Sequence, residues 1–252
     1  MPSILLVTND FGPRAGGIET FIIGLLERMP KGEVIVYTSG QSGSESFDKR
    51  WLESYGVRVI RDSSKILLPS PRVIRAVRKV IKQSKVEKIW FGAAAPLALS
   101  ARFLRVGNVK KIVALSHGHE VWWSKVFPFN LAMKEIARSV DVLTFLGDYT
   151  GSVIKKNFKG RAKLLKIAPG IDINHFKPER DLSKISEVRS ELKIGSEPLI
   201  LSVGRLVHRK GQDKLITAMP KILARRPDAK LLFIGQGPRK AKLDSLIAKY
   251  GI

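Results

Sequence analysis

Short apolar runs alternate along the chain with longer amphipathic stretches. Strand-like runs are predicted at Ser3–Thr8, Val34–Thr38, Val57–Arg61, Lys88–Gly92, Lys111–Leu115, Val140–Phe145 and Leu164–Ala168. Between them lie helical patterns over Gly17–Met29, Arg72–Ser84, Leu97–Leu104, Leu131–Ala137 and Tyr149–Asn157. Strands that alternate with helices are joined by crossovers, and crossovers make parallel sheets. Unbroken apolar strands such as Ile4-Leu5-Leu6-Val7 fit a sheet covered on both faces.

The pattern lapses between Lys177 and Pro198, a charged stretch with only a weak helical rhythm at Ile185–Leu192. It then restarts with a strand at Leu199–Val203, a helix over Asp213–Arg226, a strand at Lys230–Ile234 and a helix from about Lys240. We therefore expect an α/β chain with a first domain at 1–178, a linker at 179–197 and the beginning of a second, incomplete lobe at 198–252. Two strands and two helices do not cover both faces of a sheet, so the second lobe is expected to be truncated.

Composition adds one strong bias. Against 22 acidic residues stand 45 basic ones, a formal charge of +23. Such a balance favours an anionic partner: a phosphorylated substrate, an acidic membrane surface or nucleic acid, unless it is a compositional habit of the source. There is no cysteine, so disulfides and thiolate metal sites are excluded. Asn9, Asp10, Arg14 and Glu19 interrupt the first apolar run early, which argues against a signal peptide. No stretch is long and apolar enough to cross a bilayer. A cytoplasmic protein is the expectation.

Three strand-to-helix junctions carry the candidate chemistry. Gly12-Pro13-Arg14-Ala15-Gly16-Gly17-Ile18-Glu19 follows the first strand, and its paired glycines can bring backbone amides close to a phosphate. Its spacing is neither a dinucleotide fingerprint nor a P-loop, and a plain turn remains the alternative. Ser116-His117-Gly118-His119-Glu120 places two of the four histidines beside a carboxylate at a strand end. Histidine there can serve a sugar hydroxyl; a metal site is the rival, and a simple backbone cap the bland alternative. Finally, Val203-Gly204-Arg205-Leu206-Val207-His208-Arg209-Lys210-Gly211 offers a guanidinium fork and an ammonium for phosphate oxygens. Exposed surface charge is the alternative there.

Together these segments resemble the GT-B-fold, retaining glycosyltransferases of family 4. Pro169-Gly170-Ile171-Asp172 through Phe176-Lys177-Pro178 is similar to the family's segment closing the first lobe. Gly204-Arg205-Leu206 and Arg209-Lys210-Gly211 are similar to its donor-phosphate loop. Thr8-Asn9-Asp10-Phe11, His117-Gly118-His119-Glu120 and Arg209-Lys210-Gly211-Gln212-Asp213 resemble the actinobacterial branch that mannosylates phosphatidylinositol mannosides. The resemblance implies two Rossmann-like lobes, a nucleotide-sugar donor (GDP-mannose, with UDP-sugars as the alternative), an anionic glycolipid acceptor and no required metal or other cofactor. By position, Gly16, Gly17, Arg205 and Lys210 would be donor-binding residues, His117 and His119 candidate catalytic residues, and Asp10 and Glu120 acceptor-side residues. The family's Glu-x7-Glu segment has no counterpart in these 252 residues, so a partial donor site is expected, and a non-catalytic binding remnant is the alternative.

The run Pro71–Lys85 carries basic residues at 72, 75, 78, 79, 82 and 85, largely on one helical face, with Ile74, Val77 and Ile81 opposite. Such a helix can cover a sheet while its basic face meets an acidic leaflet, which implies peripheral binding at the inner face of the membrane. Trp122, Trp123, Lys125, Phe127 and Phe129 would then either form an aromatic rim for a lipid or pack in the core. Nucleic acid is disfavoured, because zinc-finger spacing, aromatic RNP-type strands and a helix-turn-helix unit are all missing from the sequence.

Overall fold

The computed structural model describes residues 2–157 and 162–252. The chain forms two compact units, 1–171 and 172–252. In the first, the order is β1 (Ile4–Thr8), α1 (Gly17–Leu26), β2 (Val34–Thr38), α2 (Glu45–Tyr55), β3 (Arg58–Arg61), α3 (Pro71–Ser84) and β4 (Lys88–Phe91). A 3-10 segment at Leu97–Phe103 leads to β5 (Lys111–Leu115), α4 (Glu120–Lys125), α5 (Phe129–Ser139), β6 (Val142–Phe145), α6 (Asp148–Asn157) and β7 (Lys163–Lys166).

The seven strands form one parallel sheet in the order β3-β2-β1-β4-β5-β6-β7. Side-chain alternation sends Leu5, Val7, Ile35, Tyr37, Ile89 and Phe91 into one core with Val73 and Val77 of α3 and Met133 and Ile136 of α5. Leu6, Val34, Val36 and Trp90 pack on the other face against Ile22 and Leu26 of α1 and Trp51 of α2. The central strands are therefore buried along most of their length and polar mainly at their ends, whereas the edge strands β3 and β7 show partly exposed patterns.

α2 was absent from the hydrophobic reading because, of its residues, only Trp51 is buried. The predicted helix at Leu97–Leu104 is a 3-10 segment, with Leu97, Ala98, Ser100 and Ala101 all buried. Arg72, counted above on the basic face of α3, turns instead to Asp62, which it grips through both terminal nitrogens at 2.7 and 3.0 Å. The Tyr37 hydroxyl donates to the same carboxylate.

The second unit contains α7 (Leu182–Glu191), β8 (Leu199–Val203), a 3-10 turn at His208–Lys210, α8 (Gln212–Leu223), β9 (Lys230–Ile234) and α9 (Lys240–Tyr250). The weak helical rhythm of the expected linker is thus a real helix, with no buried residue, counted within this unit. β8 and β9 pair in parallel, and Leu206, Ile216 and Leu243 form a small core on one face of the pair. Leu201, Val203 and Ile234 are exposed.

The Asp62 network predicts an acid-sensitive contribution to stability. Hydrogen bonding from Arg72, then from Tyr37 and Ser64, holds the Asp62 carboxyl well below the usual carboxylate range, against the opposing cost of burial. A folded-state value below the unfolded one gives stability that is complete above about pH 4–5 and is lost as pH falls toward the folded value. Asp62→Asn should therefore melt below wild type at pH 7, with the gap narrowing steadily as thermal melts are repeated down to pH 3.

Candidate active site

The strand order reverses direction between β1 and β4: β1 leads through α1 to β2 on one side, and β4 leads to β5 on the other. Open α/β sheets bind ligands at such a switch point, outside the carboxyl ends of the strands. Here the loops after β1, β4 and β5 meet, bringing together Asp10, the glycine loop, Gly92 and the two histidines.

The glycine loop is held from below. Arg61 pairs with Asp48 through two hydrogen bonds and donates to the Gly12 carbonyl at 2.6 Å. Gln41 accepts from the Arg14 amide at 3.3 Å and donates to the Phe11 carbonyl at 2.8 Å. Asn9 makes a two-way amide bridge to the backbone of Leu67, at 2.7 and 3.0 Å. The loop's backbone is thereby fixed before any ligand arrives.

Its two central glycines serve different ends. A Cβ on Gly16 would lie 2.2 Å from a carboxylate oxygen of Glu19, whereas a Cβ on Gly17 would meet nothing within 4 Å. Gly16 makes room for Glu19; Gly17 faces open space at the start of α1. Glu19 is buried, and its Oε1 accepts from Arg14 Nε at 2.9 Å and lies 2.8 Å from Nη2. Asp10 Oδ1 lies 3.6 Å from the same Arg14 nitrogen. Burial raises the Asp10 carboxyl above its ordinary range, with Glu19 adding to the effect and Arg14, His117 and His119 opposing it. Neither Arg14 nor Glu19 carried a role in the sequence reading, although both flank the glycine pair.

His117 Nε2 lies 2.6 Å from the Gly92 carbonyl, and its ring packs edge-on to Phe21. A carbonyl oxygen only accepts, so Nε2 carries the proton and Nδ1 is the nitrogen left for other partners. His119 Nε2 approaches the Ala95 carbonyl at 3.3 Å, and its side chain is 38% exposed. Glu120 is placed differently from the acceptor-side position expected for it. Its side chain is wholly buried at the start of α4, where Oε2 accepts from the His117 amide at 3.0 Å and from Ser116 Oγ at 3.1 Å. Oε1 sits 3.3 Å from His119 Nε2, outside hydrogen-bond alignment. A carboxylate so enclosed is unavailable to an acceptor; it secures the histidine turn instead. Among the described residues no three His, Asp or Glu side chains are grouped to hold a metal ion.

In the second unit, Arg205 and Lys210 lie on one loop between β8 and α8, and both are exposed. Gly204 and Gly235 share a positive φ of 149°, and a Cβ on Gly235 would come within 2.1 Å of the Gly204 carbonyl oxygen. This close approach locks the two strand-end loops together. The Lys210 stem passes near Gly204, 3.7 Å from where its Cβ would stand. Gln212, buried at the start of α8, donates to the Arg205 carbonyl at 3.1 Å. Among the described residues neither Arg205 nor Lys210 has an acidic side-chain partner, so both charges remain available.

A Glycosyltransferase Family 4 model matches residues 15–175, and a Glycosyl transferases group 1 model matches residues 183–252. The chain belongs to glycosyltransferase family 4. It is 37% identical over 250 residues to the GDP-mannose-dependent alpha-(1-6)-phosphatidylinositol monomannoside mannosyltransferase of Mycolicibacterium smegmatis, covering 99% of this chain and 65% of that protein. The monoacylated-substrate counterpart from Corynebacterium glutamicum is 36% identical, covering 96% of this chain and 63% of its own length. The chain therefore spans just under two thirds of the curated relatives it matches. Among solved structures, Anabaena Alr3699/HepE in complex with UDP and glucose aligns with a TM-score of 0.73 at 18% identity, over 100% of this chain and 67% of that one. A Rickettsia africae glycosyltransferase aligns at 0.70 and 18%, over 99% and 66%. These likenesses agree with the α/β, GT-B fold class expected for the chain.

The differing surroundings of the two glycines lead to a direct test. Gly16→Ala should displace the Glu19 carboxylate and lower the melting temperature. Gly17→Ala should leave it unchanged or raise it slightly, since alanine is favoured over glycine by up to about 1 kcal/mol within a helix. Equal thermal shifts for the two variants would contradict the placement of Glu19.

Proposed function

We propose that the protein transfers mannose from GDP-mannose to a phosphatidylinositol mannoside, with retention of configuration and without a required metal, at the cytoplasmic face of the membrane. The observation that carries this reading is 37% identity, across 99% of the chain, to an enzyme named for that reaction. The site chemistry is compatible with it. Arg205 and Lys210 supply a fork and a point charge for the donor diphosphate, offsetting the charge that develops on the leaving group. In the first unit, Gly17 leaves its backbone approachable for a phosphate oxygen, and Gly16 indirectly shapes that surface through Glu19. His117 presents Nδ1 to a donor-sugar hydroxyl, with the more exposed His119 beside it. Asp10, its carboxyl pushed up by burial, stands on the acceptor side.

For the lipid partner, α3 offers the exposed residues Arg75, Arg78, Lys79 and Lys82, none with an acidic partner among the described residues. Each basic residue near an acidic leaflet contributes roughly 1 kcal/mol of attraction. Trp122 and Phe127 are exposed, as are Leu131 and Tyr149, with Lys125 against the Tyr149 ring. Both tryptophan rings pack on Phe129, but Trp123 is partly buried against the core. The aromatic rim thus consists of fewer residues than the sequence run named. No described helix is long and apolar enough to cross a membrane.

A donor screen with the full-length protein tests this reading. Turnover should be fastest with GDP-mannose, persist in EDTA, and fall by about 100-fold or more in Arg205→Ala or Lys210→Ala, in line with loss of a preorganised charged donor. Preference for a UDP-sugar would overturn the donor assignment.

A further inference from the structure

Arg14 is the one cation of the glycine loop, and the resemblance gave it no task. Its backbone is fixed by Gln41, and its neighbour Gly12 by Arg61. Its guanidinium is anchored along one edge only: Nε and Nη2 both address Glu19 Oε1, at 2.9 and 2.8 Å. Among the described residues Nη1 has no partner, and the side chain is 61% exposed. Glu19 is itself immobilised, buried beneath Gly16 with its second oxygen where a Gly16 Cβ would stand.

We propose that Arg14 is a further donor-binding residue, offering its free Nη1 edge to the diphosphate, and that Glu19 is the positioning residue that holds it there. This rests on the nucleotide-sugar reading above. A guanidinium has five donors in a rigid fork, so occupying one edge leaves another directed and unspent. Anchoring the side chain in advance removes most of the rotamer entropy that a free surface arginine loses on binding. The same geometry explains why two carboxylates, Asp10 and Glu19, sit beside a loop meant for an anion. They share the positive charge of Arg14, and Glu19 takes only its Nε–Nη2 edge.

GDP and inorganic pyrophosphate titrated into the full-length protein, followed by calorimetry, test the proposal. Arg14→Ala should weaken GDP affinity about tenfold or more, as expected for losing a charge-assisted contact. Arg14→Lys should recover only part of this, since an ammonium lacks the fork. Glu19→Gln should weaken GDP less than Arg14→Ala, and pyrophosphate should follow the same ranking. Arg14→Lys keeps a cation beside the buried Glu19 and should melt near wild type, whereas Arg14→Ala leaves that carboxylate unpaired and should melt lower. Affinities are therefore compared at a temperature where every variant is folded. Weakened GDP binding by Arg14→Lys at an unchanged melting temperature separates ligand contact from a folding effect. If Arg205→Ala weakens GDP and Arg14→Ala does not, the role of Arg14 is overturned while the donor reading stands. If GDP fails to bind wild type, the donor reading falls and this inference with it.

Discussion

The parallel pairing of β1 with β4 is the interaction on which the first unit depends. Its register, Leu5 beside Ile89 and Val7 beside Phe91, puts two strands that leave in opposite directions side by side at the centre of the sheet. Gly92 closes that junction: a Cβ there would fall 2.4 Å from the Thr8 hydroxyl, so only glycine lets the strand ends come together. Its carbonyl then receives the His117 ring, and its amide bonds to Val7. The backbone of the sheet thus fixes both the place and the tautomer of the histidine.

Around that junction, charge is arranged by enclosure. Glu120 and Glu19 are both buried carboxylates, and each holds a group that faces solvent: the turn at His117 in one case, the Arg14 guanidinium in the other. Burying a charge is tolerated only where it is paired or well hydrogen-bonded, so each pair is stable as a unit and fragile in its parts. The second unit reaches a similar result by other means. There, glycines at 204 and 235 let two loops stack, and Arg205 and Lys210 beside them carry no acidic side-chain partner among the described residues.

The strands and most helices were legible because a sheet covered on both faces leaves long apolar runs. What escaped was governed by tertiary context. α2 buries little besides Trp51, so its Phe47, Trp51 and Tyr55 spacing is the sole helical signal, and the left-handed Gly56 marks its end. α4 has only six residues, too few for a period to declare itself. The family resemblance puts Glu120 on the acceptor side; only the folding of α4 against β5 shows its carboxyl turned inward. Arg14 and Glu19 were visible as charges flanking two glycines, but their pairing depends on the helix start bringing residue 19 back over residue 16. Arg205, Lys210 and the histidine pair were legible as candidates because strand-to-helix junctions in a parallel sheet gather at one end.

The most direct measurement of the central claim is the product formed when the full-length protein is given GDP-mannose and phosphatidylinositol monomannoside in anionic vesicles. Mass spectrometry and proton NMR of the purified lipid should show one added mannose in α linkage, which reports donor, acceptor and retention together. A β-linked product, or no mannose added while a UDP-sugar is transferred under the same conditions, would contradict the account.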